Sequence, residues 1–177
     1  MRILSTIFAL GAAWTASIEP VWAIAGCDAF TNALRAGASD MQVEFGRAVV
    51  VSRTRSDSNV FDITTRVDVD GTLTCRGDQF VRFEARIGEP ANARTTTNFE
   101  RFQTAALKAA LGWDAGKSRG VLQGMSADAG EYLAASRQRG DVYVAGKTEE
   151  HMPGGVSLGL MATGSDRTFV IVGPAGQ

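Results

Sequence analysis

The chain has 177 residues, of which 45% are hydrophobic and 21% are charged, and this composition is typical of a globular protein rather than a disordered one. Its 18 basic and 19 acidic side chains give a net charge of −1, which argues against nucleic-acid binding driven by bulk positive charge. One histidine and two cysteines exclude most zinc sites and any histidine-rich metal centre. We therefore expect no metal and no cofactor.

Residues 1–25 have the pattern of an export signal. The run from Ile3 to Ile18 is uncharged and mostly apolar, and Ala23-Ile24-Ala25 forms a small-residue cleavage pattern. The apolar run is about sixteen residues, shorter than the roughly 20 that cross a bilayer. We expect a signal peptide over 1–25 and a single mature domain over 26–177. The mature chain is then periplasmic or secreted and has no transmembrane segment.

A lipid anchor is an alternative fate for the same N-terminal region. Ile24-Ala25-Gly26-Cys27 resembles the bacterial lipobox, in which the cysteine becomes the acylated first residue. Against this alternative, Glu19 and Pro20 interrupt the apolar stretch, whereas lipoprotein signals usually run apolar up to the box. A lipoprotein tethered through Cys27 therefore stays open beside a freely exported protein.

The first half of the mature chain predicts one helix and three strands. The alternation of apolar and polar residues is cleanest over Val60–Val69. Asp70-Gly71 follows it and suits a two-residue type I′ hairpin turn, since both central residues of that turn need positive φ. The predicted elements are a helix over Cys27–Ala36 and strands over Met41–Arg53, Val60–Val69 and Thr72–Ile87, the last interrupted at Arg76-Gly77-Asp78.

The second half of the chain predicts two helices followed by three short strands. Thr97 and Glu100 form a capping box for a helix that stops at Gly112. The other predicted elements are a helix over Asp128–Arg139 and strands over Val142–Gly146, Val156–Ala162 and Thr168–Val172. Because the helices are grouped and the turns are local, the predicted class is α+β, an antiparallel sheet of about five to six strands with helices packed on one face.

The two cysteines predict a disulfide between Cys27 and Cys75. An exported chain enters an oxidising compartment, where the only two cysteines of a domain usually pair. The bond would fasten the N-terminal helix to the sheet. Two separate thiols, or an acylated Cys27 that leaves Cys75 alone, are the alternatives.

The candidate catalytic residues lie around His151, the only histidine of the chain. Any Ser-His-Asp or Cys-His mechanism must use it. It follows Glu149 and Glu150 in a predicted loop, and two carboxylates beside an imidazole can do acid–base chemistry. A solvated loop of charged residues is the favoured explanation of this segment.

The sequence contains no P-loop, no zinc-protease motif and no nucleophile elbow. We therefore favour a non-enzymatic binding or accessory protein of the cell envelope, whose partner is an unknown protein or other envelope component. The alternatives are a small secreted hydrolase that uses Glu149, Glu150 or His151 and a lipoprotein acylated at Cys27.

Overall fold

Alternating apolar and polar residues build an antiparallel meander in the first half of the chain. The computed structural model describes residues 26–53, 58–66, 68–141 and 145–174, with the backbone alone for 45–53. The predicted leader, residues 1–25, lies outside the described residues. The elements of this half are helix α1 (Cys27–Asp40) and strands β1 (Phe45–Arg53), β2 (Ser58–Thr65), β3 (Asp70–Arg76) and β4 (Gln79–Gly88).

Two helices then cross to the far edge of the same sheet, and three strands return toward its centre. These elements are α2 (Ala93–Leu111), α3 (Ala115–Arg139), β5 (Ala145–Met152), β6 (Val156–Thr163) and β7 (Asp166–Val172). The strand order among the described residues is β1-β2-β3-β4-β7-β6-β5, and every neighbouring pair is antiparallel. The predicted α+β class is confirmed, and the sheet has seven strands.

The hairpin between β2 and β3 turns earlier than the sequence predicts. Asp70 and Gly71 belong to β3, where Gly71 lies opposite Ile63 of β2. A Cβ atom on Gly71 would lie 3.2 Å from a ring carbon of Phe102 on α2. The prediction of a turn at Asp70-Gly71 is therefore wrong. The glycine is needed because an aromatic ring packs directly on the strand.

The predicted disulfide between Cys27 and Cys75 is confirmed. The two Cα atoms are 6.2 Å apart, within the usual range of about 4.4–6.8 Å, and both residues are buried. The bond joins the first residue of α1 to β3. Because the sulfur of Cys27 is bonded to Cys75, it is not free to form the thioether of a lipoprotein. The alternative of acylation at Cys27 does not fit this structure.

An aromatic cluster fixes the first two helices on the sheet. The ring of Phe30 on α1 lies 4.7 Å from that of Phe80 and 5.4 Å from that of Phe83, both on β4. Phe102 of α2 contacts Phe83 edge to face at 5.7 Å. These tilted arrangements are the favoured ones for aromatic rings. All four side chains are buried, so the cluster forms the centre of the core.

Both long helices begin at a side-chain cap and end at a glycine. Asn92 caps α2 and Asp114 caps α3, each accepting a hydrogen bond from a backbone N–H of the first turn. Gly112 and Gly140 end the helices in the left-handed conformation, as the sequence predicts. The helices begin earlier than predicted. No helix in the described part of the chain is both long and apolar enough to cross a membrane.

The C-terminus of α3 is held by Asp141. Its carboxylate accepts hydrogen bonds from Arg139, at 2.8 Å, and from Ser136, at 2.9 Å. These two bonds, that from Arg139 first, hold the pKa of Asp141 below the ordinary value of 3.8. The last turn of the helix is thereby connected to the segment that leads into β5.

Candidate functional site

The three helices pack on one face of the sheet and leave the other face open. Phe83 on β4 contacts both α1 and α2 through Phe30 and Phe102. A Cβ atom on Gly146 of β5 would point at the backbone of α3, on the same side of the sheet. Side chains alternate between the two faces of a strand, so the residues next to those that face the helices form the second face of the sheet. No element in the described ranges covers that face.

A groove runs along the open face above strands β7 and β6. Its floor is made of small and aliphatic side chains, and its volume is about 490 Å³. Gly159 lies near the middle of the floor, beside Val170, and the absence of a side chain there deepens the groove. We call this feature the open-face groove; its floor consists of Thr168, Val170 and Val172 on β7 and Ser157, Gly159 and Met161 on β6.

Longer, charged side chains form the two walls of the open-face groove. The wall on β4 consists of Arg82, Glu84 and Arg86, and the wall on β5 consists of Lys147 and Glu149. His151 follows Glu149 on the same face of β5, just beyond the lining of the groove. Two strands separate the walls, so that at the usual strand spacing they stand about 14 Å apart. This width admits an extended polypeptide or a helix of about 10 Å diameter.

The charges of the two walls correspond position by position. The strand register places Arg82 level with His151, Glu84 level with Glu149, and Arg86 level with Lys147. The groove therefore has an acidic band in the middle, Arg86 and Lys147 at one end and Arg82 at the other. A polypeptide with a basic side chain between two acidic ones has the complementary pattern.

Each acidic residue of the walls is paired with a neighbouring cation. Arg82 forms an ion pair with Glu84, and Lys147 forms one with Glu149 at 3.2 Å. Arg86 pairs with Asp166, also at 3.2 Å. The cations are largely exposed, and exposed ion pairs of this kind contribute only about 0–1 kcal/mol each. Replacing these ion pairs with ion pairs to a bound partner therefore costs little free energy.

Glu149, Glu150 and His151 lie in strand β5 rather than in the predicted loop. Because side chains alternate along a strand, Glu149 and His151 face the open-face groove, whereas Glu150 faces the helices. The structure therefore separates Glu150 from the other two candidates. The charged residues of this segment favour a loop prediction. The segment is a strand because β5 lies at the edge of the sheet, where charged side chains are tolerated that a central strand excludes.

His151 pairs with a residue that the sequence analysis did not consider. Its Nδ1 atom lies 2.8 Å from Oγ of Ser157, which is opposite it on β6. Ser157 is 5% exposed, and the hydrogen bond gives its hydroxyl group a partner. No pattern in the sequence could have shown this contact, because it depends on the register between two strands.

No family model, curated protein or solved structure matches the chain. Within the described ranges, no group of three or more His, Cys, Asp or Glu side chains is placed to hold a metal ion. The open-face groove, with its mostly apolar floor and charged walls, is the candidate site.

Proposed function

We propose that this chain is an exported, non-enzymatic binding protein of the cell envelope that holds a polypeptide partner in the open-face groove. The observation that carries the proposal is the groove itself, whose floor of small and mostly apolar residues lies between two charged walls. The pattern of residues 1–25 supports export. The disulfide supports an oxidising compartment.

The shape of the groove favours a polypeptide over a small molecule. It is open along its whole length, whereas small-molecule sites usually enclose most of their ligand. A wide, open groove whose ion pairs can be replaced is suited to binding the side chains of another protein. The charge bands favour a partner segment with a basic residue between two acidic ones, which would contact Glu84 and Glu149 through its central cation.

Site-specific photocrosslinking in the exporting cell tests this proposal. A photoreactive amino acid is placed at Met161, which is 38% exposed on the groove floor, or at Tyr132, which is 60% exposed on α3. We expect a discrete crosslinked species from Met161 and none from Tyr132. Adding Glu84→Arg and Glu149→Arg should abolish the Met161 crosslink, because two like charges then meet the partner's cation.

Mass spectrometry of the crosslinked peptide completes the test. A partner segment with the acidic–basic–acidic pattern supports the proposal. The absence of a crosslink from Met161, an equal yield from Tyr132, or a Met161 crosslink that survives both charge reversals would each contradict it. Tyr132 is a suitable control because it is also a large exposed hydrophobic residue, on the opposite side of the sheet.

A secreted hydrolase is the second candidate, and one contact favours it. The 2.8 Å distance between His151 Nδ1 and Ser157 Oγ is that of a general base and the nucleophile it activates. It ranks second because Ser157 is almost completely buried and Glu150 faces away. If the chain is a hydrolase of this kind, a fluorophosphonate probe should label Ser157 in the native chain and should not label it in the His151→Ala variant. An unlabelled native chain eliminates this candidate.

A further inference from the structure

A cleft on the helical side of the sheet, separate from the open-face groove, lies between α2 and α3. Its volume is about 270 Å³. Its floor is apolar and consists of Phe99 on α2, Leu122 on α3 and Leu160 on β6, all of them buried. We call it the interhelical cleft. Nothing proposed above for the open-face groove depends on it.

The interhelical cleft contains a buried amide. Gln103 is 3% exposed and lines the cleft. The amide lies at the lining of the cleft, among apolar side chains of both helices. Alanine or leucine at this position would complete an ordinary helix–helix core. An amide placed there is therefore available to bind a ligand.

Two guanidinium groups border the cleft. Arg167 at the start of β7 forms an ion pair with Glu89, whose other carboxylate oxygen accepts a hydrogen bond from the backbone of Ala91 at 2.8 Å. Arg167 is thus both held in place and largely neutralised. Arg119 of α3 contacts only the carbonyl of Ala115, one turn earlier, within the described residues.

One carboxylate, that of Glu100, also lines the cleft. Its charge offsets that of Arg119, and Arg167 is already paired with Glu89, so the site has little excess positive charge. Glu100 repels a dianion more strongly than a monoanion. A single negative charge is enough to pair with Arg119. The lining thus favours a ligand with one charged end and one apolar end.

We propose that the interhelical cleft binds a small carboxylic acid with an apolar chain. The carboxylate contacts the guanidinium of Arg119 and accepts a hydrogen bond from the amide of Gln103, and the chain lies on Phe99, Leu122 and Leu160. The volume is close to the lower limit of about 300 Å³ for small-molecule sites. A chain of a few carbon atoms fits it, and a long acyl chain does not.

Titration of the exported, disulfide-bonded protein with hexanoate tests the proposal. Two-dimensional ¹⁵N NMR spectra should show saturable shifts of the backbone amides around Gln103, Leu122 and Leu160. Hexylamine and 1-hexanol have an apolar chain similar to that of hexanoate, but hexylamine is positively charged and 1-hexanol is uncharged. We expect both to bind at least about tenfold more weakly, because a charge-assisted hydrogen bond to a guanidinium is worth that factor or more.

Single substitutions then assign the contacts. Arg119→Gln should weaken hexanoate binding by about tenfold or more, whereas Arg137→Gln, on the same helix and outside the cleft, should leave it unchanged. Gln103→Leu should also weaken binding while raising the midpoint of thermal unfolding, because it removes a buried polar group.

Three outcomes would overturn the proposal. They are the absence of saturable shifts around the cleft, equal affinity for hexanoate and 1-hexanol, and hexanoate binding that neither Arg119→Gln nor Gln103→Leu alters. Since Gln103→Leu is expected to fold at least as stably as the native chain, weaker binding by that variant cannot be attributed to unfolding. The test is independent of the crosslinking experiment, which addresses the other face of the sheet.

Discussion

Replacing both cysteines, in the variant Cys27→Ala/Cys75→Ala, should lower the free energy of unfolding by about 4 kcal/mol. The disulfide closes a loop between residues 48 positions apart, and its loss restores the conformational entropy of that loop to the unfolded chain. Alanine is preferred to serine because both positions are buried, where a hydroxyl group would add its own desolvation cost. Urea denaturation of the two proteins measures the difference.

Reduction of the native chain is the matched control, because it opens the same bond without removing a side chain. The reduced native chain and the double variant should unfold at similar urea concentrations. Both should have a Tm lower by about 10 °C or more than that of the oxidised chain. A native chain whose Tm does not change on reduction would contradict the prediction that the disulfide stabilises the folded state relative to the unfolded chain.

The second large decrease in the free energy of unfolding is expected from Gly146→Ala in β5. A Cβ atom at this position would lie 1.8 Å from the carbonyl oxygen of Ala129 and 2.7 Å from the amide nitrogen of Leu133, both in α3. Backbone atoms cannot move aside as a flexible side chain can, so the strand and the helix must separate. We expect a loss of about 3 kcal/mol or more, measured by urea denaturation.

Gly159→Ala in the neighbouring strand β6 is the control for that substitution. A Cβ atom there would be 3.8 Å from Cβ of Val170 and 3.9 Å from the carbonyl oxygen of Thr148. These are ordinary contacts, and a side chain in a strand lowers the entropy of the unfolded chain. Its stability should equal or slightly exceed that of the native chain. If both variants lost the same stability, the contact with α3 would not be the cause.

The sequence predicts those parts of the fold that depend on local chemistry. The alternation over Val60–Val69 indicates a strand, and β2 occupies most of that range. Gly112 and Gly140 end helices as expected. The start of α3 is missed because three glycines, Gly116, Gly120 and Gly124, lie in the first half of that helix, and each lowers helix propensity by about 1 kcal/mol relative to alanine. Packing against β5 and β6 compensates, which no local pattern can show.

The open-face groove could not be predicted from the sequence, for a different reason. Arg82, Glu84 and Arg86 are recognisable as the polar side of a strand, but only the pairing of β4 with β7 places them beside Val170 and Val172. That pairing joins distant parts of the chain. The same limit applies to His151 and Ser157, whose contact requires the register of β5 against β6. The interhelical cleft likewise requires the helix packing.

The position of β7 makes the completion of the sheet depend on a strand that is distant from β4 in the sequence. Arg82 lies opposite Val172, so β4 receives its second neighbour only after helices α2 and α3 and strands β5 and β6 have been passed along the chain. Strands β1–β4 are consecutive in the chain and can assemble first, while the edge of β4 keeps its backbone N–H and C=O groups unpaired. Pairings between distant residues are also the slow ones in folding. The edge of β4 is therefore open to pairing with another chain until β7 covers it.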